Sequence, residues 1–246
     1  MGKMILFAGK ELPAGNDMAS GASFQGRKVV ATAMASEKES EDEQASASSS
    51  IIQVNWNRTS SISARSMALK CENAGGLDEV VMVFDEFYFA TKYRTNSNNA
   101  QVMEELIESY QYLSQELLTR FERNPQKKVK IAFLHKSNYS LNDGVVSGSI
   151  RSSGLELSNP LISAASAAFK AYAENFAAVI SENPHIMPLL VSCEPTNELS
   201  RKDSSLAVWI CEYMDSIDNL KKPLSPKQKV SWVKAGAKNP GGFGLF

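Results

Sequence analysis

The chain has little of what several common kinds of chemistry require. It holds two histidines, His135 and His185, and three cysteines, Cys71, Cys193 and Cys211, all far apart. Metal sites need such groups, or carboxylates, at short fixed spacings, so no metal is expected. An odd number of separated cysteines among apolar neighbours fits buried, reduced thiols better than a disulfide frame. Charge of one sign is missing too: a net charge of −1 with 22% charged residues creates no overall basic field, and nucleic acid is not suggested as a partner. Long apolar runs are absent. The first, Met4 to Gly9, falls far short of the roughly 20 residues a bilayer crossing needs, and Glu11 and Pro13 follow at once. A soluble, cytoplasmic protein without a membrane partner is the expectation.

What is present is alternation. Short apolar runs take turns with longer stretches of helical periodicity, the pattern of a parallel sheet wrapped by helices. The expected strands are Met4–Ala8, Lys28–Ala33, Ile51–Asn55, Glu79–Phe84, Val129–Leu134, Met187–Cys193 and Lys229–Lys234. Ser60–Asn73 opens on serines and carries Ile62, Met67 and Leu69; Ala100–Arg123 carries Val102, Leu106, Tyr110, Leu113 and Leu117. Both read as amphipathic helices. Pro160 suits a first helical turn, and Ser163–Ile180 is rich in small residues, as in a closely packed helix. The run NDMASGASFQG, Asn16–Gly26, has few large apolar residues, and Gly21 inside it costs about 1 kcal/mol against alanine in a helix. A shortened or irregular helix is expected there. At 246 residues one α/β domain would use the whole chain. The acidic, then serine-rich stretch 36–50 reads as a solvated connector. The glycine-rich tail 238–246 is either frayed or pinned at a subunit boundary.

Taken in order, several of these runs resemble the short-chain dehydrogenase/reductase family. ILFAG, a glycine-containing turn and GRKVVATA look like its first βαβ unit, with Gly9 and Gly15 at the first and third glycines of the turn and Pro13 at the middle one. IIQVNWNRTSSISARSMALKCENAGGLDEVVMVF is similar to the family's next strand, helix and strand. Asn55 there stands at an aspartate that usually touches adenine, and Met82 to Asp85 replace an Asn-Asn-Ala-Gly tetrapeptide. KVKIAFLHKS resembles the strand ending in the catalytic serine, with Lys136 or Ser137 at that point. ISAASAA resembles the helix that opens on the catalytic Tyr-x-x-x-Lys pair, with Ile162 and Ser166 at the two positions, and the helix asparagine falls near Leu106. CEPT, with Pro195 kept, and KVSWVKAG resemble the last turn and strand.

The resemblance implies a Rossmann-like, doubly wound parallel sheet of about seven strands in three α/β/α layers. It also implies that the proton-transfer pair is gone. Isoleucine cannot pass a proton, and a positioned acid/base group usually contributes about 10²–10⁴ in rate. Lys136, Ser137 and Tyr139 are the weak substitutes. Proline at position 13 removes an amide donor and fixes φ where glycine has freedom, which weakens a phosphate cradle. Ala33-Met34-Ala35-Ser36 offers neither arginine for a 2′-phosphate nor carboxylate for a ribose diol. No cofactor is therefore expected. The aromatics Phe84, Phe87, Tyr88 and Phe89 are expected to plug an emptied cleft. In the family the helices matching 100–123 and 163–180 pair between subunits, so the resemblance implies a homo-oligomer, dimer or tetramer, with Phe169, Tyr172 and Phe176 supplying bulk. Three functional readings stand: a catalytically inactive structural, scaffolding or regulatory protein, possibly beside an active paralogue; a divergent NAD(P)-dependent oxidoreductase with moved chemistry; and a small-ligand binding protein on the same fold.

Overall fold

In a computed structural model that describes residues 2–34, 51–93, 99–138, 160–238 and 240, the strands are β1 (Met4–Leu12), β2 (Lys28–Met34), β3 (Ile51–Trp56), β4 (Glu79–Asp85), β5 (Val129–Lys136), β6 (Ile186–Cys193) and β7 (Trp232–Lys234). They form one sheet in the order β3-β2-β1-β4-β5-β6-β7, every pair parallel. β4 and the body of β5 are buried along their length, because helices cover both faces. That is why these strands read as unbroken apolar runs rather than alternating ones.

The helices are α1 (Asn16–Phe24), α2 (Ser61–Asn73), α3 (Glu86–Lys92), α4 (Asn99–Met103), α5 (Ser109–Arg123), α6 (Pro160–Ile180), α7 (Asp203–Asp218) and the short α8 (Pro226–Lys229). One core lies under α2, α5 and α6, around Met67, Tyr110, Leu113, Phe133 and Phe169. The other lies under α1 and α7, around Met18, Phe7, Leu134, Leu206 and Ile210. The three-layer sandwich follows.

Several expectations change. The helix expected over 100–123 is divided by a π-helical turn at Glu104–Glu108. In α2, Ser60 caps the first turn and Met67 is buried, but Ile62 and Leu69 point to water; the buried stripe is Ala64, Met67, Ala68 and Cys71. Strand β7 is shorter than expected because Ser225 and Gln228 form a capping box that turns Pro226–Lys229 helical. α1 is a regular helix despite Gly21. A Cβ there would stand 2.3 Å from the Ser204 carbonyl oxygen, so glycine lets α1 and α7 meet. α7 itself, with Leu206, Ile210 and Met214 on one face, is an element that the expected set lacks. Stretch 36–50 and, within the tail, residues 239 and 241–246 lie outside the described residues. Among the described residues no helix is long and apolar enough to cross a membrane. All three cysteines are buried and unbridged. Burial pushes their thiols up, to about 12 for Cys71, 11 for Cys193 and 12 for Cys211.

Candidate functional site

In a sheet of this order the chain leaves β1 toward β2 on one side and β4 toward β5 on the other. The crevice beyond the carboxyl ends of β1 and β4 is therefore the place where such folds bind ligands. Strand β1 does not stop at its first glycine. It runs through Gly9 to Leu12, and its register against β2 shifts between Phe7 and Leu12. Gly9 has φ +111°, and a Cβ there would lie 2.1 Å from the Val83 carbonyl oxygen and 2.7 Å from the Tyr110 hydroxyl. The glycine is required, but what presses on it is the protein's own backbone and phenol.

The turn that follows is occupied with itself. The Gly15 amide donates to the Glu11 carbonyl at 3.0 Å and the Asn16 amide to the Pro13 carbonyl at 3.1 Å. These donors sit where a dinucleotide phosphate would look for amides. Asp17 in the first turn of α1 adds negative charge where an anion would dock. Asn55 lies exposed on β3 opposite Ala33.

Glu11 and Arg58 meet at this end of the sheet. Arg58, which follows β3, is buried. Its Nε donates to the Glu11 carboxylate, Nη2 to the Gly9 carbonyl at 2.6 Å and Nη1 to the Glu105 carbonyl at 2.9 Å. The guanidinium carbon stands 4.9 Å from the ring centroids of Trp56 and Phe89 and 5.3 Å from that of Tyr110. Burial alone would raise the Glu11 carboxyl; the charges of Arg58 and Lys92, with hydrogen bonds from Tyr88 and Arg58, hold it below the usual carboxylate range. An ion pair in this setting must be well hydrogen-bonded to persist, and this one is. Of the expected aromatic plug, Phe84 and Phe89 are buried and Tyr88 binds Glu11, while Phe87 is half exposed.

Beside this pair lies a second ionic group. Lys10 Nζ contacts Asp85 at 2.7 Å and Asp203 at 2.5 Å; Lys136 Nζ contacts Asp203 at 2.7 Å and Asp85 at 3.4 Å. Burial would lower the Lys136 ammonium, but Asp85 and Asp203 raise it overall. A lysine held charged in this way is a poor proton acceptor. Ser137 is tied to the Cys193 carbonyl through its amide at 3.0 Å and its hydroxyl at 3.4 Å. Tyr139 lies outside the described residues.

On α6, Ile162, which the sequence resemblance sets at the phenol position, is fully buried and part of the core. Ser166, one turn further, donates to Glu86 Oε1 and stands 2.7 Å from His135 Nε2. His135 Nε2 also lies 3.4 Å from that carboxylate, and Glu86 accepts the Asn138 amide at 2.9 Å. Serine, histidine and carboxylate thus meet, but both partners converge on the same ring nitrogen. A hydrolytic relay needs the carboxylate on the other nitrogen, so this cluster has the wrong order. Leu106, at the asparagine position, is buried in the π-helical turn.

A Tyr-x-x-x-Lys spacing does exist in the described chain, on a different helix: Tyr88 and Lys92 of α3. Their i,i+4 relation was open to view in the sequence, although the aromatics around them read as packing. Lys92 Nζ lies 6.0 Å from the Tyr88 ring, but the phenol donates to Glu11 Oε2 at 2.7 Å. Burial and the Glu11 charge raise the Tyr88 phenol; burial and Arg58 lower the Lys92 ammonium despite Glu11. That is the opposite of a phenol activated by a cation. Glu11 and Arg58 themselves carried no motif. The two meet only because β3 and β1 end at the same edge of the sheet.

On α6 the large side chains Phe169 and Phe176 point into the core, and Tyr172 bonds Ser114 of α5. The bulk expected at an outer contact is thus turned inward at Phe169 and Phe176, while Tyr172 stays partly exposed. The outward face is Ala164, Ala167, Ala171 and Ala178, with Val179 exposed. A surface hollow of about 620 Å³, lined by Asn219, Lys221, Pro223, Gln228 and Pro240 among others, lies beyond the carboxyl end of α7 and gathers none of the groups above. Among the described residues no cluster of histidine, cysteine and carboxylates could hold a metal ion.

No family model and no curated protein matches this chain in sequence. Solved structures do match in shape. A short chain dehydrogenase from Mycobacterium smegmatis superposes with a TM-score of 0.63 at 16% identity, over 97% of this chain and 93% of that one. One from Streptomyces avermitilis gives 0.58 at 15% identity, over 96% and 89%. One from Leptospira borgpetersenii, solved with bound NAD+, gives 0.55 at 14% identity, over 94% and 83%. The likeness spans the sheet and both helical layers, and the chain has the fold of the short-chain dehydrogenases.

Proposed function

We propose that the protein is a catalytically inactive form of the short-chain dehydrogenase fold, serving a structural, scaffolding or regulatory role without a dinucleotide. The observation that carries this reading is the fate of the proton-transfer positions: Ile162 is sealed in the core and the Ser166 hydroxyl is consumed by Glu86 and His135. The turn before α1, whose Gly15 and Asn16 amides bond its own carbonyls, supports it. Titration of the purified chain with NADH and NADPH, followed by nucleotide fluorescence and melting temperature, tests it. No saturable response is expected from either nucleotide; a bound N-state ligand at large excess would instead stabilise by a few kcal/mol and overturn the reading.

A second reading, the divergent NAD(P)-dependent oxidoreductase, rests only on the spacing of Tyr88 and Lys92, since the phenol is held by Glu11 and not activated by the lysine. It requires the same titration to saturate, and turnover to be lost in Tyr88→Phe.

For the scaffolding role we propose self-association through helices 100–123 and 163–180. The alanine face of α6 allows close helix approach, and Ala168 lies on its border. Ala168→Arg is expected to lower the mass in solution to that of the monomer while leaving the helical signal intact. An unchanged oligomer would rule out this contact.

A further inference from the structure

Resting on the reading of a crevice that takes no dinucleotide, we propose that Arg58 is a built-in ligand. Its guanidinium occupies a cation site made by the Glu11 carboxylate, the carbonyls of Gly9 and Glu105, and the rings of Trp56, Phe89 and Tyr110. That site takes up free guanidinium when the side chain is removed.

Three features of the site select this cation. The first is donor matching: Nε, Nη1 and Nη2 each have their own acceptor, the Glu11 carboxylate, the Glu105 carbonyl and the Gly9 carbonyl. A planar fork with donors on several edges meets such acceptors; an ammonium is a compact point with three donors. The second is the wall. Three aromatic rings stand within 5.3 Å of the guanidinium carbon, the distance at which ring faces attract a cation, and desolvation strengthens that attraction. The third is that the wall does not depend on Arg58 for its position. Glu11 is also held by Tyr88 at 2.7 Å and Lys92 at 3.7 Å. Gly9 belongs to β1, and Tyr110 is anchored to the Val83 carbonyl at 2.5 Å. Trp56 is a strand residue and Phe89 sits in α3 between Phe84 and Tyr93. Truncating Arg58 at its Cβ therefore leaves an acidic, aromatic-lined space shaped for one guanidinium.

The consequence is an inversion of sign. A helix N-terminus at the mouth of such a crevice ordinarily favours an anion. Here a buried carboxylate faces a buried cation supplied by the chain itself.

The test is chemical rescue in the full chain. Arg58→Ala is expected to melt about 10 °C below the unaltered protein. Guanidinium chloride at about 10 mM, far below the molar range in which it denatures, is expected to restore a saturable part of that loss. Sodium chloride, urea and tetramethylammonium chloride at the same concentration should not, and the double variant Glu11→Gln/Arg58→Ala should not respond to guanidinium. Should Arg58→Ala fail to fold alone, the readout becomes recovery of its far-ultraviolet helical signal on dilution from urea with guanidinium or with sodium chloride. Recovery with guanidinium only supports the site. Equal behaviour in both salts, or rescue that survives loss of Glu11, overturns it. The nucleotide titration of the unaltered chain is separate, so a failed rescue and a failed reading of the crevice are told apart.

Discussion

The two edges of the sheet both carry networks of charge, and they are built differently. At the amino edge, Lys3, Arg27 and Lys130 meet Glu79, Asp215 and Asp218. At the carboxyl edge, Lys10, Arg58 and Lys136 meet Glu11, Asp85 and Asp203. The amino-edge set ties the end of α7 to the starts of β1, β2, β4 and β5. Its aspartates sit near a helix carboxyl terminus, where the dipole disfavours them, and the three cations offset that. Asp215 and Asp218 keep 43% and 46% of their side-chain surface, so water shares the work. At the carboxyl edge no member of the set keeps more than 14%. Buried charges depend wholly on their partners. The lesson is that one edge leaves its aspartates in reach of water, and the other holds its whole set away from water, at the end of the sheet where folds of this strand order bind ligands.

The largest expected contrast follows from removing one carboxylate at each edge. Glu11→Gln strands the Arg58 cation among aromatic rings and is expected to cost about 3–5 kcal/mol in urea unfolding. Asp218→Asn leaves Lys3 with Glu79 and Asp215 and leaves Lys130, paired only with Asp218 among the described residues, with the neutral amide oxygen and the water that reaches it; it is expected to cost about 1 kcal/mol. Equal penalties would break the comparison. The same pair gives its pH dependence. Glu11 has a folded pKa held below its unfolded value, so its contribution is present above the unfolded value of about 4.3 and is lost as pH falls through the folded one. The gap between the unaltered chain and Glu11→Gln should therefore be constant from neutral pH down to about 5 and close only in stronger acid. A gap that closes near neutrality would mean that Glu11 is not held as a buried carboxylate.

Much of this architecture was open to reading from residues alone, and the crevice was not. Runs such as VVMVF and KIAFL need burial on both faces, which only a covered parallel sheet supplies, so the strands are found to within a few residues. β1 ran past its expected end because Gly9 reads as a turn, whereas in the fold it is a packing point beneath Tyr110. Ile62 and Leu69 misled because α2 buries its alanines, and apolar residues on a surface are common. α7 escaped although Leu206, Ile210 and Met214 stand at helical spacing. The departures at Ile162 and Ser166 from the resembled motif were plain, since each is one residue in a short run. The ion pair at the end of β1 was not. Glu11 and Arg58 are 47 positions apart, each flanked by nothing unusual, and their meeting is a property of strand order rather than of any local pattern.

Salt gives the smallest effect and the sharpest discrimination between the edges. At 1 M ionic strength the screening length falls to about 3 Å, against about 10 Å at 0.1 M. Charges that water reaches are screened; a pair from which water is excluded is screened far less. The Asp218→Asn penalty should therefore shrink toward zero as sodium chloride rises from 0.1 to 1 M, a change of under about 1 kcal/mol. The Glu11→Gln penalty should hold to within roughly 0.5 kcal/mol, the scatter typical of such differences. Urea midpoints for three proteins at two salt concentrations suffice to measure this. If the Glu11 penalty fell with salt as the Asp218 penalty does, ions would be reaching the crevice, and a crevice that admits ions would have room for a ligand.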